Sequence, residues 1–150
     1  MDHAIRPVDM HSIGTAAALL ERFFREESFT VRHASVRANL AALLGDPGNW
    51  AGLAYHDVSA VGVVTVSTVL YVEWGRLGEI GDLYVLPEAR GQGIGRALIE
   101  AGVDQCRTRG CSAVSVTITP EGERDHALAR YYAKSGFMAT GRTIVSLGLR

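Results

Sequence analysis

The chain has 150 residues, 47% of them hydrophobic and 21% charged, with a formal net charge of -1. That length and apolar content suit one domain, residues 1–150, with a core of its own, and exclude a disordered chain. The near-zero charge leaves no electrostatic case for a nucleic-acid or anionic-membrane partner. No apolar run approaches the ~20 residues of a membrane span, and MDHAIRPVDM lacks the apolar core of an export signal, so a cytoplasmic protein is expected.

In chain order, residues 4–8 (AIRPV) read as a short strand. Asp9 caps a helix expected to run to about Glu27, with Ile13, Ala16, Ala17, Leu20, Phe23 and Phe24 at helical spacing. Thr30 caps a second helix, which GDPG at 45–48 stops. Residues 50–55 predict a strand, 56–59 its turn, and 60–70, rich in β-branched residues, a second strand. YVEWGRLG at 71–78 predicts a connection. Strands follow over 79–86 and 113–119, helices over 94–109 and 124–135, and two closing strands over 137–139 and 143–149. The fold class is α/β (α+β): a mixed sheet with helices on both faces.

His3, His11, His33, His56 and His126 form neither HxxxH nor HExxH, and Cys106 and Cys111 fit neither a redox nor a zinc spacing. No metal site is expected, and the cysteines read as half-buried thiols.

The densest signal is VLPEARGQGIGRAL at 85–98. A Walker loop needs GxxxxGK[ST], and no lysine stands near Gly95. A dinucleotide fingerprint needs GxGxxG early in a βαβ unit, whereas this is GxGxG, late in the chain. A third reading is a turn opening a helix whose bare amides face a pyrophosphate, with Arg90 and Arg96 adding charge. An ordinary strand-to-helix turn fits the glycines equally well.

Context separates these readings. The pattern resembles the GNAT superfamily of acetyl-CoA-dependent N-acetyltransferases, whose [RQ]xxGx[GA] signature is matched by Arg90, Gly93 and Gly95. DLYVLPEAR resembles the family's central strand leading into that loop. ALARYYAKSGF at 127–137 is similar to its later helix, with Tyr132 and Phe137 at the family spacing, and Asp125 stands where the family often has Asn. The resemblance implies a splayed central sheet and acetyl-CoA as the acetyl source. It places backbone groups of Leu83, Tyr84 and Val85 beside the pantetheine and the acetyl carbonyl. It also places Arg90, Gly91, Gln92, Gly93, Ile94, Gly95 and Arg96 around the pyrophosphate.

Acetyl transfer to an amine needs the amine neutral. For an amine of pKa near 10.4, deprotonation at pH 7 costs roughly 4–5 kcal/mol, which a base lowers. The carbonyl needs a donor and the leaving thiolate an acid. Tyr132 is the acid by resemblance and by its polar tip on a mostly apolar helix; Tyr131 points about 100° away. Glu79 and Asp82 are the candidate bases. Glu79 aligns, by its spacing from the glycine loop, with the catalytic glutamate of histone-type members. Asp82 interrupts an apolar strand, where an acid is costly unless partnered. Alternation sets the two on opposite faces; a bulge at Gly81 would bring them to one side.

On the acceptor side the candidates are Glu73 and Trp74 of the connection, Asp82, and Glu121 with Glu123 and Asp125 of TPEGERDH. Acids around a pocket favour a small cationic amine. With the likeness to the family's aminoglycoside acetyltransferases, this points to an aminoglycoside-type antibiotic or a polyamine. A protein lysine or N-terminal amine is the alternative acceptor. A non-catalytic acyl-CoA-binding module is the alternative class, but such a module should have lost Tyr132 and the strand acids. Relatives in the family dimerise, and RTIVSLGLR could join a homodimer.

Overall fold

Val and Thr crowd residues 59–71, and this run forms the longest strand of a five-stranded sheet. The computed structural model describes residues 3–29 and 33–149, which fall into two compact units, 1–117 and 118–150. The first unit runs β1 (Ala4–Pro7), α1 (Ile13–Glu26), α2 (His33–Gly45), β2 (Trp50–His56), β3 (Ser59–Tyr71), β4 (Gly75–Val85), a 3-10 turn (Pro87–Ala89), α3 (Ile94–Thr108) and β5 (Ala113–Val116). The strands lie in the order β1-β2-β3-β4-β5. The first three pairings are antiparallel; β4 and β5 are parallel, joined by the crossover helix α3. This is the mixed sheet expected from the sequence.

Helices cover both faces. Ala16, Leu20, Val36 and Leu40 of α1 and α2 pack with Leu53, Val63 and Tyr84. On the other face, α3 buries Ile94, Leu98, Ile99 and Cys106. Gly102 brings its backbone against Val64 and Val66. Gly78 is the matching concession on β4, since a Cβ there would collide with Cys106 Sγ. Burial, and then the neighbouring Cys111, pushes the Cys106 thiol up to about 11, and both cysteines are free.

Three expectations are corrected. First, 71–78 is not a connection. Gly75, with φ +75°, closes a tight hairpin, and β4 starts there rather than at Glu79. Leu77 and Gly78 pair with β3 on one side and with β5 on the other. Second, in the second unit the helix expected over 124–135 is two helices, α4 (Pro120–His126) and α5 (Leu128–Ala133), parted by Ala127 at φ +48°. Thr119 Oγ1 accepts from the Gly122 N–H, which starts α4 early with Pro120 in its first turn. Glu123 Oε2 accepts from the Ala129 N–H, which starts α5. Third, 137–139 and 143–149 form no strand, and β5 stops at Val116 rather than at residue 119.

Smaller shifts follow local chemistry. Asp9 Oδ1 accepts from the His11 and Ser12 N–H groups and holds the turn ahead of α1, with Ser12 at the N-cap. The Thr30 cap lies outside the described residues. No helix among the described residues is long and apolar enough to cross a membrane.

Candidate active site

β4 is broken at one point. β3 pairs Thr65 with Asp82 and Val66 with Ile80, so Gly81 is an extra residue, a β-bulge. Cross-strand partners share a face. Glu79 lies opposite Ser67 and Asp82 opposite Thr65, two positions on the same side of β3. The bulge therefore sets both acids on one face, the face on which Tyr84 and Val63 meet α1. Glu79 is exposed and Asp82 half-buried. Burial pushes the Asp82 carboxyl up from the ordinary range. The Thr65 hydroxyl donates to Asp82 Oδ2 at 2.7 Å and draws it part of the way back.

Beyond the bulge the sheet opens, because the β4–β5 ladder ends at Ile80 and Val116. The Leu86 N–H donates to Val61 O at 2.9 Å, which sets the phase of the strand. By alternation the peptide groups of Asp82 and Tyr84 face β3, while those of Leu83 and Val85 face the side that β5 does not pair. Of the three residues expected to offer backbone groups, Leu83 and Val85 can do so; those of Tyr84 are turned into the sheet. The Tyr84 ring instead stacks on Phe23 at 5.3 Å, and its hydroxyl donates to Glu26 Oε1 at 2.6 Å. Burial and Glu26 push the Tyr84 phenol up to about 12. Burial also works to raise Glu26, but Tyr84, Arg90 and Arg22 outweigh it and hold that carboxyl below its usual range.

Arg90 ties this end of β4 down. Its Nε donates to Val85 O at 2.9 Å, and its Nη2 lies 3.2 Å from Glu26 Oε2. Arg96 pairs with Glu100 along α3 at 3.0 Å. Both arginines thus have partners next to the glycine turn. In the turn, Gly91 and Gly93 take φ +77° and +82°, which a side chain would strain, and Gly93 is the N-cap of α3. A Cβ at either would meet no atom within 4 Å, so the backbone lies open. The first-turn amides of Ile94, Gly95 and Arg96 have no intrahelical acceptor and carry the positive end of the helix dipole. The Gln92 carbonyl accepts from His3 Nε2 at 2.9 Å. Left-handed glycines, bare backbone and a helix start form a cradle that fits a pyrophosphate.

In the second unit Tyr132 is buried at 5% exposure, its ring edge-on to Tyr131 at 5.5 Å and to Phe137 at 5.4 Å. Tyr131 is half-buried, and burial pushes its phenol up. Glu121 lies in the first turn of α4, where its charge suits the helix dipole, and Asp125 pairs with Arg124 at 3.1 Å.

Two acceptor-side candidates are not brought to Asp82. Glu73 and Trp74 stand at the β3–β4 hairpin tip, where Trp74 meets Tyr71 at 5.5 Å. The strand between Gly75 and Asp82 spans roughly 20–25 Å at about 3.3 Å per residue. Two partners of the site carried little or no signal. Thr65 was visible only as a polar residue inside an apolar run, and Glu26 as one more acid at the end of a helix.

A parallel β–α–β unit whose helix start can take an anion, beside a strand edge opened by a bulge, is an arrangement that an acyl-CoA-dependent transferase can use. The Acetyltransferase (GNAT) family profile matches residues 15–137, and the chain belongs to that family. It is an N-acetyltransferase that uses acetyl-CoA. The chain is 30% identical over 145 residues to glucosamine 6-phosphate N-acetyltransferase 1 of Oryza sativa subsp. japonica, covering 91% of this chain and 81% of that protein. Among solved structures, an integron cassette protein from a salt-marsh metagenome superposes with a TM-score of 0.83 at 25% identity, covering 97% of this chain and 90% of that one. The aminoglycoside N-acetyltransferase AAC(6')-Iy, solved with CoA, superposes with a TM-score of 0.82 at 19% identity, covering 99% of this chain and 96% of that one.

Proposed function

We propose that the acceptor is the primary amine of a small amino sugar, with Asp82 as the base and Tyr132 as the acid. The observation that carries the reading is Asp82. It is a half-buried carboxyl set by the bulge just ahead of the strand edge that β5 leaves unpaired. A carboxyl raised by burial is a better-matched base near neutral pH than an ordinary one. The sugar acceptor is supported by the likeness to a glucosamine 6-phosphate N-acetyltransferase over most of the chain. Residues 1–150 act as one catalytic domain in this reading, since the family match runs through both units.

Acetyl-CoA supplies the acetyl group activated as a thioester. The turn from Gly91 to Gly95 and the first amides of α3 hold its pyrophosphate. The N–H groups of Leu83 and Val85 offer donors to a carbonyl oxygen that gains negative charge. Asp82 takes the proton of the ammonium, directly or through water. Glu79, exposed on the same face, attracts the cation, and Tyr132 returns a proton to the leaving thiolate. An aminoglycoside is the second reading, favoured by the two acids that share that face; Glu73 and Trp74 have no part in either.

Thiol release from acetyl-CoA should be followed with glucosamine, glucosamine 6-phosphate, an aminoglycoside, spermidine and a lysine peptide. Turnover is expected with the amino sugars. Release with the peptide alone would replace this reading with a protein acetyltransferase. Tight CoA binding without release on any amine would leave a binding module.

A further inference from the structure

We propose that Thr65 is a positioning residue for the acetyl transfer. Its hydroxyl ties down Asp82 Oδ2, so that Oδ1 alone faces the acceptor amine and takes its proton. The inference rests on the reading of Asp82 as the base. Thr65 is 2% exposed, the one polar side chain in the buried core among the described residues. Its hydroxyl donates to Oδ2 at 2.7 Å, a well-formed O–H···O hydrogen bond. The bulge provides the room for it. Gly81 has no side chain, and a Cβ there would stand 3.1 Å from Thr65 Oγ1, tight enough that the hydroxyl would have to give by a few tenths of an ångström. Without the extra residue, alternation would turn Asp82 to the opposite face, away from Thr65.

The proton balance is simple. One proton passes from the ammonium to Oδ1, and the freed amine attacks the acetyl carbonyl. The N–C bond forms as the C–S bond breaks, the leaving thiolate takes a proton from Tyr132, the second amine proton replaces it, and Thr65 keeps its own proton throughout.

Within the first unit, the described charged and titratable groups packed around this strand have their own partners or lie elsewhere. β3 brings Val64, Thr65 and Val66 alongside, and β5 (Ala113–Val116) carries no charge. On the same face of β4 the titratable neighbours are Glu79 and Tyr84. The Tyr84 hydroxyl is committed to Glu26 of α1, which also holds Arg22 and Arg90. Arg37 of α2 lies against Gly14 of α1. Among the described residues, burial and the Thr65 hydroxyl act on Asp82, burial the more strongly.

The test is a carboxyl 13C NMR titration of Asp82 in the whole chain, with the signal assigned through Asp82→Asn. It needs no acceptor. Thr65→Val removes the donor and keeps the volume; Thr65→Ser keeps the donor. A hydroxyl that stabilises the carboxylate holds the titration down, so Thr65→Val should move the midpoint to higher pH and Thr65→Ser should restore it. With whichever amine turns over, kcat/KM of Thr65→Val should fall about tenfold on the acid side of the profile, as loss of a hydrogen bond to a charged group implies, and little on the alkaline side. If Thr65→Val is not tolerated, Thr65→Ala is read in the same titration. An unmoved midpoint, or an equal loss at every pH in both the Val and Ser variants, overturns the positioning role. If Asp82→Asn itself keeps the parent's rate and profile, the base assignment fails instead.

Discussion

At Asp82 the folded chain favours the protonated carboxyl, because the strand carries it out of water. A carboxyl raised in the fold adds stability below its unfolded value and loses it as pH rises through the folded one. Asp82→Asn, which cannot ionise, should therefore melt higher than the parent at pH 7, by about 2–4 °C for each kcal/mol released in a chain of this length. The gap should close near pH 3, where both side chains are neutral. Calorimetry from pH 3 to 8 checks this, and a lower Tm for the variant at neutral pH would contradict the sign. Tyr132→Phe tests the other end of the reaction. A lost general acid should lower kcat about a hundredfold and leave the acetyl-CoA KM nearly unchanged. Steady-state kinetics decide it, and an unaltered kcat removes Tyr132 from the chemistry.

At the scale of elements, the glycine turn and α3 were legible because backbone conformation demanded those residues. Only glycine takes φ +77° and +82° without strain, so the spacing of Gly91 and Gly93 is itself structural information. Gly93→Ala should cost about 1–2 kcal/mol in urea unfolding, the penalty for a side chain in left-handed backbone, and should raise the acetyl-CoA KM. Equal stability and equal KM would show the cradle reading to be wrong. Gly81 was legible differently, as a glycine inside a strand pattern between two acids, which points to a bulge. The hairpin at 71–78 was not. Its glycines read as loop residues, yet Gly78 is in the strand because Cys106 of α3 needs the space of a side chain there. The helix over 124–135 was misplaced for a related reason: the Thr119 and Glu123 side chains cap two short helices where periodicity suggested one.

For the whole molecule, binding should appear as stability. A ligand held only by the folded chain stabilises it by RT ln(1 + [L]/Kd), about 2.7 kcal/mol at a hundred times Kd. CoA at that excess should raise Tm in a thermal shift assay, and Gly93→Ala should blunt the rise; no shift with CoA would contradict the cradle. By itself the sequence determined the mixed sheet, the glycine turn ahead of α3, the family, and the pair of acids with a glycine between them. These are written in periodicity, in φ-demanding residues and in local spacing. The tertiary structure alone decided that Thr65 holds Asp82, that Arg90 answers Glu26 from 64 residues away, and that Glu73 and Trp74 stand at the far end of β4. Those are matters of register and of helix docking. Both are set by which side chains fit against one another across the sheet, and no single strand or helix carries that information in its own order of residues.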